Sequence, residues 1–243
     1  MEMYEDVFDF LYEKYKDEAN VRKQKVSIGI EFFADDDGDV VKIDVVPGRE
    51  LNQNQYKEDE NLNLYVYYKY GNFDQGSERI KTNVQAQIKS IKDRATTEKD
   101  SIRKIIRLLK VWKNTKYNYP VKSFFLELIT IKAFDNKNIS GNFWSKLETV
   151  LQYIRDEVTG ESFALKDPGN GSNDLIDTLT TSERQTLSDD MKYMLERIED
   201  NDENIKTYFP ENSKFLEEEE SDSKYENKGN GFYSNPPKNE RFG

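Results

Sequence analysis

The chain has 243 residues, of which 35% are hydrophobic and 34% charged, and its formal net charge is −11. This balance is typical of a water-exposed protein with enough apolar residues to close a core. No apolar run approaches the roughly 18 residues that a membrane-spanning helix needs. The first residues include neither a basic leader nor an apolar segment of the kind that directs export, which favours a cytoplasmic protein.

Cysteine and histidine are both absent from the sequence. Their absence excludes disulfides, thiol nucleophiles, zinc sites of the usual kinds and imidazole acid–base catalysis. Any chemistry must therefore depend on carboxylates, lysines or hydroxyls. Carboxylates that hold a hard cation such as magnesium are the first option, because magnesium takes oxygen ligands and acts on phosphates.

The charge is distributed unevenly along the chain. Residues 79–122 contain 13 basic and 3 acidic residues, whereas residues 199–226 contain 11 acidic and 3 basic ones. The negative net charge argues against strong binding of duplex nucleic acid. The basic middle fits a surface that handles phosphates, and a solvated helix face is the alternative.

The first third of the sequence predicts a helix followed by strands. Apolar residues at helical spacing predict an amphipathic helix over residues 4–17. Two extended runs, 26–33 and 40–46, flank an acidic Asp-Gly turn at 35–39 and predict a β-hairpin. Pro47-Gly48 is predicted to end the second strand, and residues 62–70, rich in Tyr and Val, predict another.

Beyond Gly76 the sequence predicts helices almost throughout. One helix has a basic stripe, Arg103, Arg107 and Lys110, and an apolar stripe that consists of Ile102, Ile105, Ile106, Leu109 and Trp112. Residues 123–134 are apolar nearly all round, which predicts a central helix. Residues 144–158 and 182–198 predict two more helices, with a loop at 166–174 between them.

Asp44 is the most informative single residue, because it lies inside the apolar run Val41-Lys42-Ile43-Asp44-Val45-Val46-Pro47. A lone charge on a buried strand is costly unless it is paired or bound to a metal. An edge strand with one wet face would tolerate it equally well, and both interpretations stay open.

Four segments in this order resemble the nucleotidyltransferases related to cyclic GMP-AMP synthase, oligoadenylate synthase and the bacterial cyclic-oligonucleotide synthases of CBASS anti-phage signalling. They cover residues 43–47, 105–113, 123–128 and 167–174. The resemblance implies an α+β fold with a polymerase-β-like nucleotidyltransferase core, here truncated, over residues 1–95. A helical nucleotide-binding domain would follow over residues 96–216.

The resemblance also implies roles for particular residues. Asp44 would be the third catalytic metal carboxylate and would hold Mg²⁺ or Mn²⁺. Lys110 and Ser123 would contact the donor triphosphate, with Arg107 on the same basic stripe, and Phe124 would stack on the donor base. The alternatives are a solvated Lys110 and a core Phe124, and Glu127 is expected only to pair with a lysine.

The implied function is the synthesis of a cyclic di- or oligonucleotide from nucleoside triphosphates in antiviral defence. The family pattern, however, begins with a Gly-Ser motif and an Asp-x-Asp strand, whereas Gly76-Ser77 and Gly171-Ser172 both follow Asp44. One aspartate cannot bridge two metal ions. The chain alone is therefore expected to be inactive, as the downstream part of a longer cyclase, as half of a split enzyme, or as a noncatalytic nucleotide-binding or regulatory module.

The C-terminal residues 217–243 are predicted to be a disordered tail. They contain a glutamate run and then Ser, Asn, Gly and Pro, with too few apolar residues to offset the entropy of ordering them. Some relatives in anti-phage operons are joined through their C-terminus to other molecules by a ubiquitin-transfer-like partner. The terminal Gly243 would suit such a reaction, and an ordinary disordered end is the alternative.

Overall fold

A computed structural model describes residues 2–36, 38–65 and 79–211 of the protein. The chain divides into two compact units, Met1–Leu195 and a second that begins at Glu196. The described helices are α1 (Glu2–Tyr15), α2 (Tyr56–Asp59), α3 (Val84–Lys92), α4 (Thr96–Asn114), α5 (Ser123–Asn136), α6 (Phe143–Glu157), α7 (Thr181–Asp200) and α8 (Ile205–Tyr208). The strands are β1 (Ala19–Lys23), β2 (Ile28–Phe32), β3 (Lys42–Val45), β4 (Gly48–Glu50), β5 (Leu62–Tyr65), β6 (Arg79–Thr82), β7 (Lys166–Asp167) and β8 (Asn170–Asp174).

The first sheet has the strand order β1-β2-β3 and is antiparallel throughout. The predicted hairpin of 26–33 with 40–46 is confirmed by the pairing of β2 with β3. The helix predicted over 4–17 is α1, and its apolar side packs on one face of this sheet. The buried residues of this cluster are Tyr4, Leu11, Ala19, Ile28 and Ile30.

Strand β1 was not predicted from the sequence. Its segment, Ala-Asn-Val-Arg-Lys, has only two apolar residues, so the alternation is too weak to indicate a strand. Tertiary contacts supply what the pattern lacks, because β1 pairs over its whole length with β2 and packs against α1. The Tyr4 hydroxyl secures the β1–β2 turn by donating a hydrogen bond to the Ser27 carbonyl at 2.7 Å.

A second antiparallel sheet has the order β4-β5-β6. The strand predicted over 62–70 is described as β5 up to residue 65, and residues 66–70 lie outside the described part of the chain. The prediction of helices almost throughout beyond Gly76 was wrong at β6, which pairs with β5 along four residues. Partner strands, rather than local pattern, determine such short segments.

The helices α4, α5 and α6 form the main core of the first unit. Every residue of the predicted apolar stripe on α4 is buried. The prediction of a central, all-round apolar helix is confirmed by α5, whose buried residues are Phe125, Leu126, Leu128, Ile129, Thr130, Ile131 and Ala133. The helices predicted over 144–158 and 182–198 correspond to α6 and α7.

The prediction of a loop over 166–174 was wrong, because these residues form the small β7–β8 hairpin. Its turn is organised by Asp167, which is buried and accepts hydrogen bonds from the Gly169 amide at 2.8 Å and from Gln87 Nε2 of α3 at 3.0 Å. The buried carboxylate thus ties the hairpin to α3, a long-range contact that the local sequence does not indicate.

In the described residues, no helix combines the length and the apolar character needed to cross a membrane. The tail predicted over 217–243, with Gly243, lies outside the described residues. The domain division predicted at residue 95 stays a prediction.

Candidate nucleotide-binding site

Asp44 lies on β3, at the edge of the first sheet, opposite Gly29 of β2. Its side chain is exposed and extends over that glycine, where an added Cβ atom would lie 3.4 Å from Asp44 Oδ1. The structure therefore has the edge strand with one wet face that the sequence left open as an alternative. Because the Asp44 carboxylate is exposed, it does not need to be paired or bound to a metal, and its role as a metal ligand stays a prediction.

The surroundings of Asp44 form a shallow depression of about 100 Å³ between β1, β2 and β3. The other carboxylate that lines this depression belongs to Glu31, which forms an ion pair with Lys42 at 3.1 Å. Among the residues that the structure describes, no group of three or more carboxylates could hold a metal ion. Asp44 can offer oxygen ligands to one cation, but these residues do not form a two-metal centre.

The acidic turn predicted at 35–39 is exposed in its described residues. The Asp35 side chain accepts a hydrogen bond from the Asp39 amide at 2.8 Å, an interaction within the turn itself. Asp37 lies outside the described residues.

A second cluster of candidate residues forms where α4 ends and α5 begins. Lys113 Nζ donates a hydrogen bond to Ser123 Oγ at 3.2 Å, and Lys110 Nζ lies 3.3 Å from Glu127 Oε2. All four side chains are half-buried. Lys113 and the Ser123 hydroxyl thus meet at the first turn of α5, whereas Lys110 lies beside Glu127 in the next turn, and the expected pairing of Glu127 with a lysine is seen.

The N-terminus of α5 adds its own positive potential to this cluster. Ser123 is the first residue of this 14-residue helix, and the side chain of the preceding residue, Lys122, makes no capping hydrogen bond. The first amides of a helix have no intrahelical acceptor, and the helix dipole favours an anion there. Together with Lys110 and Lys113, this turn is suited to a phosphate group.

The structure does not join all the predicted site residues. In the described part of the chain, no hydrogen bond or ion pair links Asp44 to Lys110 or Ser123. Arg107 is exposed on α4, and Phe124 is half-buried on α5. Lys113 was not predicted as a site residue, although its spacing of three from Lys110 placed it on the same side of the helix.

The connection between α4 and α5 is fixed by contacts with α7. Tyr119 donates a hydrogen bond to Asp190 at 2.6 Å, and Lys116 forms an ion pair with the same carboxylate at 2.5 Å. The Tyr119 ring also lies edge-on to Trp112, with centroids 5.2 Å apart. Burial, and then the bond to Asp190, raise the pKa of the Tyr119 hydroxyl well above its usual range. These contacts help to position Ser123 relative to Lys113.

The combination of antiparallel sheets and a packed helical region is a mixed α+β fold, as the resemblance of the sequence implies. Two solved structures with this fold are of CdnC from Escherichia coli MS115-1, one in complex with HORMA-deltaN and one with ATP. Their TM-scores are 0.59 and 0.58, at 20% and 18% sequence identity.

In both comparisons the match covers 80% of this chain but only 63% and 64% of CdnC. The chain thus spans less than two thirds of the structures it matches. A CdnE cyclic dinucleotide synthase from Elizabethkingia meningoseptica, solved with GTP and Apcpp, is more distant, with a TM-score of 0.46 and 13% identity over 76% of this chain and 66% of its own. No protein-family model and no curated protein sequence matches the chain.

Proposed function

We propose that this chain binds the triphosphate of a nucleoside triphosphate, ATP or GTP, at the α4–α5 cluster. In the complete activity, we propose, the nucleotide is a substrate for a cyclic di- or oligonucleotide made as an antiviral signal. The observation that carries the proposal is that Lys113 contacts Ser123 at the first turn of α5, which has no capping bond from the Lys122 side chain, while Lys110 lies beside Glu127 in the next turn. The fold shared with CdnC, which has been solved with ATP, supports the same assignment.

The residues present supply binding rather than a complete reaction. Phosphoryl transfer depends mainly on positioning and on neutralising the charge of the phosphate oxygens. The two lysines and the α5 amides would neutralise and orient the triphosphate, and Asp44 would contribute one oxygen ligand to Mg²⁺ or Mn²⁺. Such a metal would activate the acceptor hydroxyl, but Asp44 alone does not complete the pair of ions that this chemistry uses.

Glu127 is expected to weaken the binding of a triphosphate. In the structure its carboxylate forms an ion pair with Lys110, with 3.3 Å between Nζ and Oε2. A triphosphate must therefore displace this carboxylate from Lys110 or share the lysine with it, and both cost binding energy because like charges come close. The nucleotide affinity of the chain by itself is accordingly expected to be weak.

A noncatalytic nucleotide-binding or regulatory module is the second candidate. The observation that favours it is that the described residues offer no carboxylate group able to hold a two-metal centre. A half of a split cyclase would show the same behaviour until its other half is supplied. Conjugation through Gly243 and a cytoplasmic location also stay predictions.

We expect the 243-residue chain to bind ATP and GTP with micromolar to millimolar affinity and to show no turnover. Titration calorimetry, with and without Mg²⁺, measures the binding. Incubation with radiolabelled triphosphates, followed by phosphatase treatment, tests for a resistant cyclic product.

Ser123→Ala tests the contribution of the hydroxyl in the same calorimetry, because alanine removes that group while leaving a good helix former at the first position of α5. It should weaken binding several-fold. Undiminished binding by this variant and by variants of both lysines would place the nucleotide elsewhere. Efficient product formation by the unmodified chain would show that its metal ligands have been misassigned.

A further inference from the structure

Strand β3 forms an edge of the first sheet that is unusually apolar for an exposed edge. The opposite edge, β1, exposes Asn20 and Arg22, polar side chains of the kind that discourages pairing with another chain. Around β3, by contrast, four apolar side chains are 45–57% exposed, namely Val40, Val41, Ile43 and Val46. An edge of this kind is a template for a further strand.

The direction of the backbone groups of β3 follows from its pairing with β2. The Phe32 amide donates to the Val41 carbonyl at 2.9 Å, so the backbone groups of Val41 point towards β2. Because successive residues of a strand alternate, those of Ile43 do the same, whereas those of Lys42 and Asp44 point outward. The free edge therefore presents the N–H and C=O groups of these two charged residues.

The sequence around β3 is complementary to itself when read in the opposite direction. Residues 40–46 are Val-Val-Lys-Ile-Asp-Val-Val, and the reverse is Val-Val-Asp-Ile-Lys-Val-Val. Two copies paired antiparallel about Ile43 would place Lys42 of each copy opposite Asp44 of the other. All remaining opposed residues would be valine against valine or isoleucine against isoleucine.

Backbone geometry leaves few alternatives to this register. An antiparallel pair exchanges hydrogen bonds only between residues whose groups point outward, so the central pairings are Lys42 with Lys42, Asp44 with Asp44, or Lys42 with Asp44. The first two oppose like charges, which destabilises a cross-strand pair, and the third opposes unlike charges. One register is thus selected by charge and by hydrogen bonding together.

We propose that the β3 edge docks β3 of a second copy of this chain, with Lys42 opposite Asp44 twice about a two-fold axis. The two three-stranded sheets would join into one six-stranded sheet, and the exposed Val41 and Ile43 would be covered by their counterparts. A symmetric interface of this kind closes on itself and does not propagate. The proposal goes beyond the proposed function, because it rests on the edge of the first sheet and not on the α4–α5 cluster that would bind the triphosphate.

The dimer would also engage the candidate metal ligand. Asp44 would face Lys42 of the second copy, so that dimerisation and cation binding compete for the same carboxylate. Excess Mg²⁺ is therefore expected to shift the equilibrium towards the monomer more than an equal ionic strength of NaCl does.

The test is sedimentation velocity of the full chain from roughly 1 µM to about 0.5 mM. The unmodified chain should pass from monomer to dimer with rising concentration. Asp44→Lys would place a lysine opposite a lysine at both of the 42–44 positions of the dimer, and it should raise the dissociation constant of the dimer by about ten-fold or more. Lys42→Asp should do the same through opposed aspartates, although it also removes the ion pair with Glu31.

The decisive measurement is an equimolar mixture of the two variants. The chain with two aspartates and the chain with two lysines are complementary in the proposed register, so the mixture should dimerise although each variant alone does so poorly. Circular dichroism should show that both variants are folded, since positions 42 and 44 are exposed. A monomeric unmodified chain at every concentration, as expected if another segment occupies the edge, would overturn the proposal. So would a dimer unaffected by Asp44→Lys, or a mixture that fails to associate.

Discussion

Replacing both lysines of the α4–α5 cluster, Lys110→Gln with Lys113→Gln, is expected to lower the affinity for ATP by roughly 100-fold. Each lysine would donate a charge-assisted hydrogen bond to phosphate oxygens, worth about ten-fold in affinity. Glutamine keeps much of the length and the helix propensity while removing the charge. Calorimetry against ATP in Mg²⁺ measures the change.

Two further variants make this result specific. Lys104→Gln removes an exposed charge nine residues before Lys113, on the opposite side of α4, and should change affinity little. Glu127→Gln frees Lys110 and should strengthen binding a few-fold, the opposite sign to the lysine variants. Equal losses in Lys104→Gln and in the double variant would instead indicate nonspecific attraction to the basic helix.

The second large effect is expected on stability, from Gly169→Ala in the β7–β8 turn. A Cβ atom there would lie 2.8 Å from the Asn83 carbonyl oxygen and 2.9 Å from its amide nitrogen, both of which are backbone atoms. The turn must then move away from the start of α3, and the bond from Gln87 to Asp167 lengthens. We expect a loss of about 1–3 kcal/mol in the free energy of unfolding, measured by urea denaturation.

Gly171→Ala is the matched control for this substitution, since Gly171 lies two residues further along the same hairpin, in β8. Among the described residues other than its chain neighbours, no heavy atom comes within 4 Å of a Cβ atom added there. Its effect should stay within about 0.5 kcal/mol. Equal stability of the two variants would show that the hairpin does not pack closely on α3.

The sequence predicted the elements whose pattern is long and periodic. The apolar stripe of α4 and the all-round apolar α5 repeat over three or more turns, and both were found as predicted. The short strands β1 and β6 were missed because each has only four or five residues and owes its existence to pairing with another strand. The β7–β8 hairpin depends similarly on Asp167, whose partner Gln87 lies 80 residues away.

The candidate site was predictable only in part. Lys110 and Ser123 are candidates because of a family resemblance, but the contact between Lys113 and Ser123 depends on how the connection between α4 and α5 is folded. That connection is held by Asp190 of α7, a contact over 71 residues. The exposure of Asp44 likewise depends on β3 lying at an edge of its sheet, which an isolated strand sequence does not reveal.

The central claim, that the chain holds a triphosphate at the first turn of α5, is tested most directly by an amide NMR titration of the labelled protein with ATP and Mg²⁺. The account predicts the largest shifts at the amides of residues 123–126 and smaller ones around Lys110 and Lys113. The same titration of the double lysine variant should leave these amides nearly unmoved. Shifts concentrated elsewhere, or none at saturating ATP, would contradict the claim.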